Sequence, residues 1–209
     1  MEKVTSRGFY MDGYLIQSLE TFIYNLQDDW DAVILISGNG MVRVGKSVVA
    51  QQVGLYCAER LGTPFGIDNI VFTGDELMTT ATRLPPNSVL IYDEARGELD
   101  SKKIMEGITK KLLDFLNECG YLNHVLIFVL PDYFDLPKYV SVNRSNCLIN
   151  VYAKKKRVTL RKAHNNVTEV NEYERGHFQF FDRDAKKKLY ILGKKNYNDY
   201  DCVRSTFSG

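Results

Sequence analysis

The sequence has few cysteines and histidines, and none lie at the spacing of a metal site or a disulfide framework. Its 209 residues contain four cysteines and three histidines, with no C-x-x-C pair, so a zinc site or structural disulfides are not expected. The longest apolar runs, residues 32–37 and 125–130, are far shorter than the roughly 20 residues that span a bilayer. The first residues lack the apolar region of a signal peptide. We therefore expect no membrane span and a reducing compartment, the cytoplasm.

Internal repeats, low-complexity segments and an excess of glycine or proline are also missing. The composition is 44% hydrophobic and 25% charged, with 15 Gly and 5 Pro, which excludes collagen-like and wholly disordered proteins. Charge is unevenly distributed, because residues 1–150 carry a net charge of −6 and residues 151–209 carry +7. Such a basic C-terminal part is either a solvated surface or a contact for nucleic acid.

Apolar strands alternate with amphipathic helices along the first 150 residues. Continuous apolar runs rich in β-branched residues predict strands of a parallel sheet, and apolar side chains at helical spacing predict helices between them. The predicted strands are residues 32–37, 70–72, 88–92, 124–130 and 148–152, and the predicted helices are 14–26, 46–61, 74–83, 101–118 and a short one within 136–144. This alternation predicts a three-layer α/β fold with a mostly parallel central sheet.

The pattern changes after Ala153, which divides the chain into a core of residues 1–153 and a basic, β-rich appendage of residues 154–209. Within the appendage, residues 178–181 and 189–192 predict the two strands of a hairpin with a polar turn. Lysine and arginine contacts with phosphates supply most sequence-independent affinity for nucleic acid. Lys154, Lys155, Lys156 and Arg157 are therefore the candidate contacts for nucleic acid, and a solvated hairpin is the equal alternative.

A phosphate-binding motif lies between the first predicted strand and the helix at 46–61. Residues 40–47 read GMVRVGKS and fit G-x-x-x-x-G-K-[ST], in which glycines let backbone N–H groups turn inward around a phosphate. Lys46 can reach the β- and γ-phosphates, and the Ser47 hydroxyl can bind Mg²⁺. We expect this loop to bind ATP with Mg²⁺, through Gly40, Arg43, Val44, Gly45, Lys46, Ser47 and Val48.

An acidic pair ends the predicted strand at 88–92. Asp93 follows a buried strand, where a carboxylate beside the phosphate loop can hold the Mg²⁺ shell through water. Glu94 comes next and is the candidate base that orients or deprotonates the attacking water. The two motifs together predict hydrolysis of the nucleotide as well as its binding.

The sequence at this point resembles the additional-strand, catalytic-glutamate branch of P-loop ATPases. Within that branch it is similar to the FtsK/HerA group of DNA motors, including viral genome-packaging ATPases and the Zot-like ATPases of phages. The resemblance covers about residues 32–152 and is carried by ISGNGMVRVGKS, LPPNSVLIYDEARGELDSKK and HVLIFVLPDYFDLPKYVSVNRSNCLINVY. It implies a P-loop NTPase fold in which residues 125–130 form a strand between the phosphate-loop strand and the acidic strand.

The resemblance also implies two further site residues. Such motors often end the fourth strand with a polar sensor such as Gln, whereas this chain has Leu130-Pro131-Asp132, so Asp132 is the nearest polar substitute and an ordinary turn residue is the alternative. Arg144 lies where such families place an arginine that reaches a neighbouring subunit's γ-phosphate. Arg96, just after Glu94, is the competing candidate, and a surface ion pair is the alternative for either arginine.

The function implied is an ATPase that assembles as a ring, for instance a hexamer, and moves or packages double-stranded DNA. A virus, plasmid or other mobile element would encode it, and a viral protein would act in the host cytoplasm. A Zot-like virion-assembly ATPase is one alternative, although the expected membrane anchor is missing. A small-molecule kinase is another, but such kinases usually carry an arginine-rich lid, and residues 131–150 contain one Arg and one Lys.

Overall fold

The computed structural model describes residues 10–26, 28, 30–38, 40–93, 107–161, 167–193 and 202–207. Their helices are α1 (Gly13–Leu26), α2 (Lys46–Leu61), α3 (Gly74–Arg83), α4 (Gly107–Glu118) and α5 (Arg183–Leu192). Their strands are β1 (Ala32–Ser37), β2 (Ile70–Val71), β3 (Val89–Tyr92), β4 (Val125–Val129), β5 (Cys147–Arg161), β6 (Val167–Phe181) and β7 (Val203–Thr206). A single π-helical turn spans Tyr139–Arg144, within the segment predicted as a short helix.

One seven-stranded sheet has the order β2-β3-β4-β1-β5-β6-β7. Strands β2, β3, β4, β1 and β5 run parallel to their neighbours, and the last two strands are added antiparallel. Strand β4 lies between β1 and β3, which confirms the additional strand that the resemblance implies. The loops after β1, β3 and β4 consequently meet at one edge of the sheet, which we call the carboxyl edge.

Helices cover both faces of the sheet, which confirms the three-layer α/β fold. On one face α1 and α2 pack against the sheet, and Leu19 and Val53 are fully buried there. On the other face lie α3, α4 and α5, with Leu77, Leu112 and Leu189 buried. Strand β1 is buried along its whole length because both of its faces are covered, as its unbroken apolar sequence predicts.

Strands β5 and β6 form a long antiparallel hairpin that projects from the carboxyl edge. Ser37, the last residue of β1, pairs with Asn150, so residues 151–161 of β5 continue beyond the end of β1 by about 35 Å at 3.3 Å per residue. A bulge interrupts the register between Tyr152 and Lys154. Lys154, Lys155, Lys156 and Arg157 are exposed beyond the bulge. A basic C-terminal hairpin is therefore present, and the boundary predicted between residues 153 and 154 falls inside β5.

The predicted second strand of that hairpin, residues 189–192, is wrong. These residues end helix α5, and the partner of β6 is β5. The Asp182 carboxylate accepts hydrogen bonds from the N–H groups of Asp184 and Ala185 and so begins a helix where a turn was expected. Leu189 faces the core, whereas Ile191 is 79% exposed. The apolar run therefore belongs to one turn of a helix whose buried side continues through Lys186.

Candidate nucleotide-binding site

The phosphate motif forms a loop that joins β1 to α2. Its backbone takes left-handed conformations at Gly40 (φ 75°), Arg43 (φ 57°) and Gly45 (φ 102°), which glycine adopts freely and arginine only at some cost. The start of the loop is tied to the end of β4, because the Pro131 carbonyl accepts hydrogen bonds from the N–H groups of Gly38 (3.2 Å) and Gly40 (2.8 Å). The loop is therefore held at the carboxyl edge by its neighbouring strand.

The rest of the loop presents backbone N–H groups that have no acceptor within the part of the chain that the structure describes. Among the described residues, no acceptor is found for the N–H groups of residues 42–47. Some of these groups belong to the first turn of α2, where the helix dipole also favours an anion. A run of unpaired N–H groups at a helix N-terminus is a binding site suited to phosphate.

Lys46 lies folded back over this loop. Its ammonium group donates a hydrogen bond of 2.8 Å to the Met41 carbonyl. Burial lowers the pKa of Lys46, and the charge of Asp93 partly opposes that effect. Gly38 permits the approach, since a Cβ at that position would lie 3.0 Å from the Lys46 Nζ and from the Met41 carbonyl oxygen. The structure thus places the predicted lysine inside the loop and within electrostatic reach of the predicted metal carboxylate.

Asp93 and Ser47 lie on two elements that meet at the carboxyl edge. Asp93 directly follows β3, and its N–H donates a 2.9 Å hydrogen bond to the Val71 carbonyl of β2. Ser47 lies in the first turn of α2. Hydroxyl and carboxylate oxygens are the hard ligands that Mg²⁺ takes, usually with several waters. The donor set therefore fits Mg²⁺. Glu94, Arg96 and the rest of residues 94–106 lie outside the described residues.

Arg144 makes an ion pair inside its own chain. Its guanidinium pairs with the carboxylate of Asp31, the residue directly before β1, and its Nε donates a 2.8 Å hydrogen bond to the Leu116 carbonyl. Both side chains of the pair are mostly buried, at 14% and 13% exposed. This contact lies at the amino edge of the sheet, opposite the phosphate loop. These contacts match the ion pair that is the alternative to a role across subunits.

Asp132 serves as the cap of a short turn. Its carboxylate accepts a 3.1 Å hydrogen bond from the N–H of Phe134 and begins a short 3₁₀ turn at Tyr133–Asp135. Asp132 is 5% exposed. This contact matches the ordinary turn residue that is the alternative to a polar sensor. The direct link from this segment to the phosphate loop is instead the Pro131 carbonyl.

A row of three buried polar side chains, not predicted from the sequence, lies beside the loop. Ser37, at the end of β1, donates a 3.2 Å hydrogen bond to the Asn150 side chain of β5. The Asn150 amide in turn donates a hydrogen bond of 2.9 Å to the side-chain oxygen of Gln179 on β6. These three side chains are 0%, 2% and 4% exposed. Polar residues at the ends of apolar strands were the available signal, but only the strand order brings the three together.

Comparisons with known proteins give similar solved structures at low sequence identity. No protein-family model and no curated protein matches it. It is similar to the genome packaging NTPase B204 from Sulfolobus turreted icosahedral virus 2 in complex with ATP-gammaS, at 13% identity and a TM-score of 0.47, covering 75% of this chain and 94% of that one. It is also similar to the N-terminal domain of zonular occludens toxin from Neisseria meningitidis, at 12% identity and a TM-score of 0.47, covering 86% and 94%.

A third similar structure is B204, the DNA-packaging ATPase from Sulfolobus turreted icosahedral virus, at 15% identity and a TM-score of 0.33, covering 83% of this chain and 87% of that one. Both groups named by the sequence resemblance, packaging ATPases and Zot proteins, are thus represented among the similar structures. No helix within the described residues is long and apolar enough to cross a membrane.

Proposed function

We propose that this chain binds and hydrolyses ATP at the phosphate loop. The observation that carries the proposal is the run of N–H groups in residues 42–47, which have no acceptor among the described residues and lie beside Lys46. A concave set of backbone donors with one adjacent ammonium matches the charge and shape of a polyphosphate.

Each side chain of the site has one expected task. Lys46 would exchange its hydrogen bond to the Met41 carbonyl for the β- and γ-phosphate oxygens. Ser47 and Asp93 would hold Mg²⁺, which neutralises developing phosphate charge when bound. Glu94, the neighbour of Asp93 in the sequence, would accept a proton from the attacking water as its oxygen bonds to the γ-phosphorus. The bond between the γ-phosphorus and the β–γ bridging oxygen breaks in the same step, and ADP leaves with that oxygen.

Calorimetric titration of ATP with Mg²⁺ tests the binding step. We expect Lys46→Ala to weaken binding by roughly 10- to 150-fold, the worth of a hydrogen bond to a charged group, without changing the thermal midpoint of unfolding. Lys110→Ala is the matched control, because Lys110 is an exposed lysine on α4 whose removal changes the net charge equally. Equal ATP affinity in wild type and Lys46→Ala would refute the assignment of the loop.

Hydrolysis separates the two acidic residues. Glu94→Gln keeps the shape of the side chain but accepts no proton, so turnover should fall by about 10²–10⁴-fold while ATP affinity persists. Asp93→Asn should instead weaken the Mg²⁺-dependent part of nucleotide binding as well as turnover. A Glu94→Gln protein that hydrolyses ATP at the wild-type rate would remove Glu94 from the mechanism.

We further propose that ATP hydrolysis drives movement of double-stranded DNA, contacted by the β5–β6 hairpin. The hairpin projects from the same edge that carries the phosphate loop, so a bound duplex would lie near the nucleotide. The register gives its two faces different charge. Lys154 and Lys156 lie opposite Glu174 and Glu172, which offset their charge on one face.

The other face of the hairpin keeps a net positive charge, although Glu169, opposite Thr159, lies on it. Lys155 lies opposite Tyr173, and Arg157 lies opposite Asn171, so no acidic partner lies directly across the strand. Paired residues project to the same side of a sheet, which puts the two cations and an aromatic ring, Tyr173 at 54% exposed, on one surface. Lysine or arginine with an aromatic ring is the usual composition of a nucleic-acid contact.

The salt dependence of duplex binding distinguishes the two faces. We expect the double variant Lys155→Ala with Arg157→Ala to lose about two phosphate contacts. Each lost contact should reduce the slope of the logarithm of the binding constant against the logarithm of salt concentration by roughly 0.9. Lys154→Ala with Lys156→Ala removes the same charge from the partly neutralised face and should flatten it less. The proposal fails if neither pair changes the slope, since the hairpin would then be a solvated surface. ATP affinity should stay unchanged in both double variants.

A ring oligomer, such as a hexamer, is the assembly we propose for this activity. Since Arg144 pairs with Asp31 inside its own chain, we propose Arg96 as the arginine that completes a neighbouring subunit's site. Mixing Arg96→Ala chains with Glu94→Gln chains should restore some ATPase activity, because some sites then contain both intact groups. Demonstrably mixed rings that stay inactive would contradict this assignment.

A further inference from the structure

A cavity of about 410 Å³ lies directly beside the phosphate loop. Arg43, Gly45 and Val48 form one wall, which belongs to the loop and to the start of α2. Arg175, Gly176 and Phe207 form the opposite wall, which comes from β6 and from the residue that follows β7. The cavity therefore joins the phosphate loop to the C-terminal strands.

The bulge at the base of the hairpin builds the second wall. Gly176 takes a left-handed conformation there, with φ 86°, and its carbonyl accepts a 2.8 Å hydrogen bond from the N–H of Phe207. This bond fixes the chain just beyond β7 beside the loop. The Phe207 ring then reaches Gly45 so closely that a Cβ on Gly45 would lie 3.0 Å from the ring.

We infer that this cavity binds the base and ribose of a purine nucleotide whose phosphates occupy the loop, an inference that rests on the proposed function. Arg43 and Gly45 belong to both the loop and the cavity wall, so a ligand with its phosphates on the loop places its nucleoside part in the cavity. Its volume lies within the range of small-molecule sites.

The chemistry of the walls suits a base. The Phe207 ring offers an aromatic face, on which any nucleobase stacks favourably. The guanidinium groups of Arg43 and Arg175 are planar donors that can stack on a base or donate to the acceptor nitrogens of a purine ring. Val48 supplies an apolar contact that neither a free phosphate nor a tripolyphosphate would use.

Separate titrations of ATP and inorganic tripolyphosphate isolate this subsite. We expect Phe207→Ala to weaken ATP binding about tenfold or more, from the loss of one stacking contact, and to leave the affinity for tripolyphosphate unchanged. Phe207→Tyr should retain ATP affinity because it keeps the aromatic face. Tyr121→Ala is the matched control, since it removes an aromatic ring that is 72% exposed on the short turn after α4. Arg175→Gln tests the same wall if Phe207→Ala fails to fold, and it should weaken ATP binding more than tripolyphosphate binding.

The outcomes separate this inference from the proposed function. Equal losses for ATP and tripolyphosphate in Phe207→Ala, or no loss for either, would overturn the base site while leaving the phosphate loop in place. A wild-type protein that binds neither ligand would overturn the proposed function itself. Lys46→Ala provides the reference, because it should weaken the binding of both ligands.

Discussion

Breaking the contact between Arg144 and Asp31 should destabilise the fold without a direct effect on the site. The pair lies at the amino edge of the sheet and is largely buried, at 14% and 13% side-chain exposure. Burial alone would lower the pKa of Arg144, but the hydrogen bonds and charge of Asp31 outweigh burial and raise it. Removing one partner of such a pair leaves an uncompensated charge, which costs about 3–5 kcal/mol.

Two opposing features set the size of the loss in Arg144→Met. Both side chains keep some contact with water, which screens the charge left on Asp31. The substitution also removes the 2.8 Å hydrogen bond to the Leu116 carbonyl, which adds about 1 kcal/mol. We expect a loss of about 3 kcal/mol, which for a chain of this size lowers the thermal midpoint by roughly 6–12 °C.

Urea denaturation of Arg144→Met, Asp31→Asn and the double variant measures the pair directly. Residues in one ion pair do not act additively, so the double variant should lose less stability than the sum of the two single losses. ATPase activity at low temperature, normalised to folded protein, should stay near wild type in Arg144→Met. The structural role is refuted if Arg144→Met unfolds at the wild-type midpoint yet loses ATPase activity, because an arginine acting across subunits would behave in that way.

Two further predictions concern the buried lysine of α5 and a glycine of β6. Burial lowers the pKa of Lys186 to about 8, while the pKa of a lysine in the unfolded chain is near 10.4. Because the unfolded chain binds more protons between these values, wild-type stability should rise from pH 8 to pH 10.5 by up to ~3 kcal/mol relative to Lys186→Met. If the denaturation midpoints of the two proteins change in parallel across this range, Lys186 does not titrate as described. Gly176→Ala should cost roughly 1–3 kcal/mol, because φ is 86° there and a Cβ would lie 2.9 Å from the Phe207 carbonyl oxygen. Gly120→Ala, which meets nothing within 4 Å, should change the denaturation midpoint little, and equal effects of the two glycine substitutions would contradict this reason.

Elements with strong local signals could be predicted closely from the sequence. Strand β1 and helices α2 and α3 have the predicted bounds. Gly62 ends α2 in a left-handed conformation, with φ 68°, and Thr73 and Glu76 form a capping box that begins α3. Each of these signals involves residues within a few positions of one another, so no knowledge of the tertiary fold is needed.

Features that depend on distant partners could not be predicted. Asp31 and Arg144 are 113 residues apart in the sequence, so only the alignment of β1 with β5 shows that they pair. The length of β5 and β6 depends on their mutual register beyond the core. Phe207 reaches Gly45 only because β7 joins the sheet beside β6. The phosphate loop itself was predictable because its chemistry is contained in one short motif.

The projecting part of the hairpin should be dispensable for folding, whereas the rest of residues 154–209 should not. Phe178, Phe181 and Leu189 are at most 1% exposed, so a chain ending at residue 153 would leave β5 without its antiparallel neighbour and both faces of the core open. We expect such a chain to aggregate or to remain unfolded, because exposed strand edges and apolar surface promote association.

A shortened hairpin separates folding from DNA binding. Lys154 pairs with Glu174, so an Asn-Gly turn can replace residues 155–173 and close the two strands. The shortened protein should keep the thermal midpoint within about 3 °C of wild type, since the removed side chains that the structure describes are exposed or half-buried. It should bind ATP normally and lose most of its salt-dependent affinity for duplex DNA. Wild-type DNA affinity in the shortened protein would place the contact elsewhere on the chain, and failure to fold would show that the projecting strands stabilise the sheet.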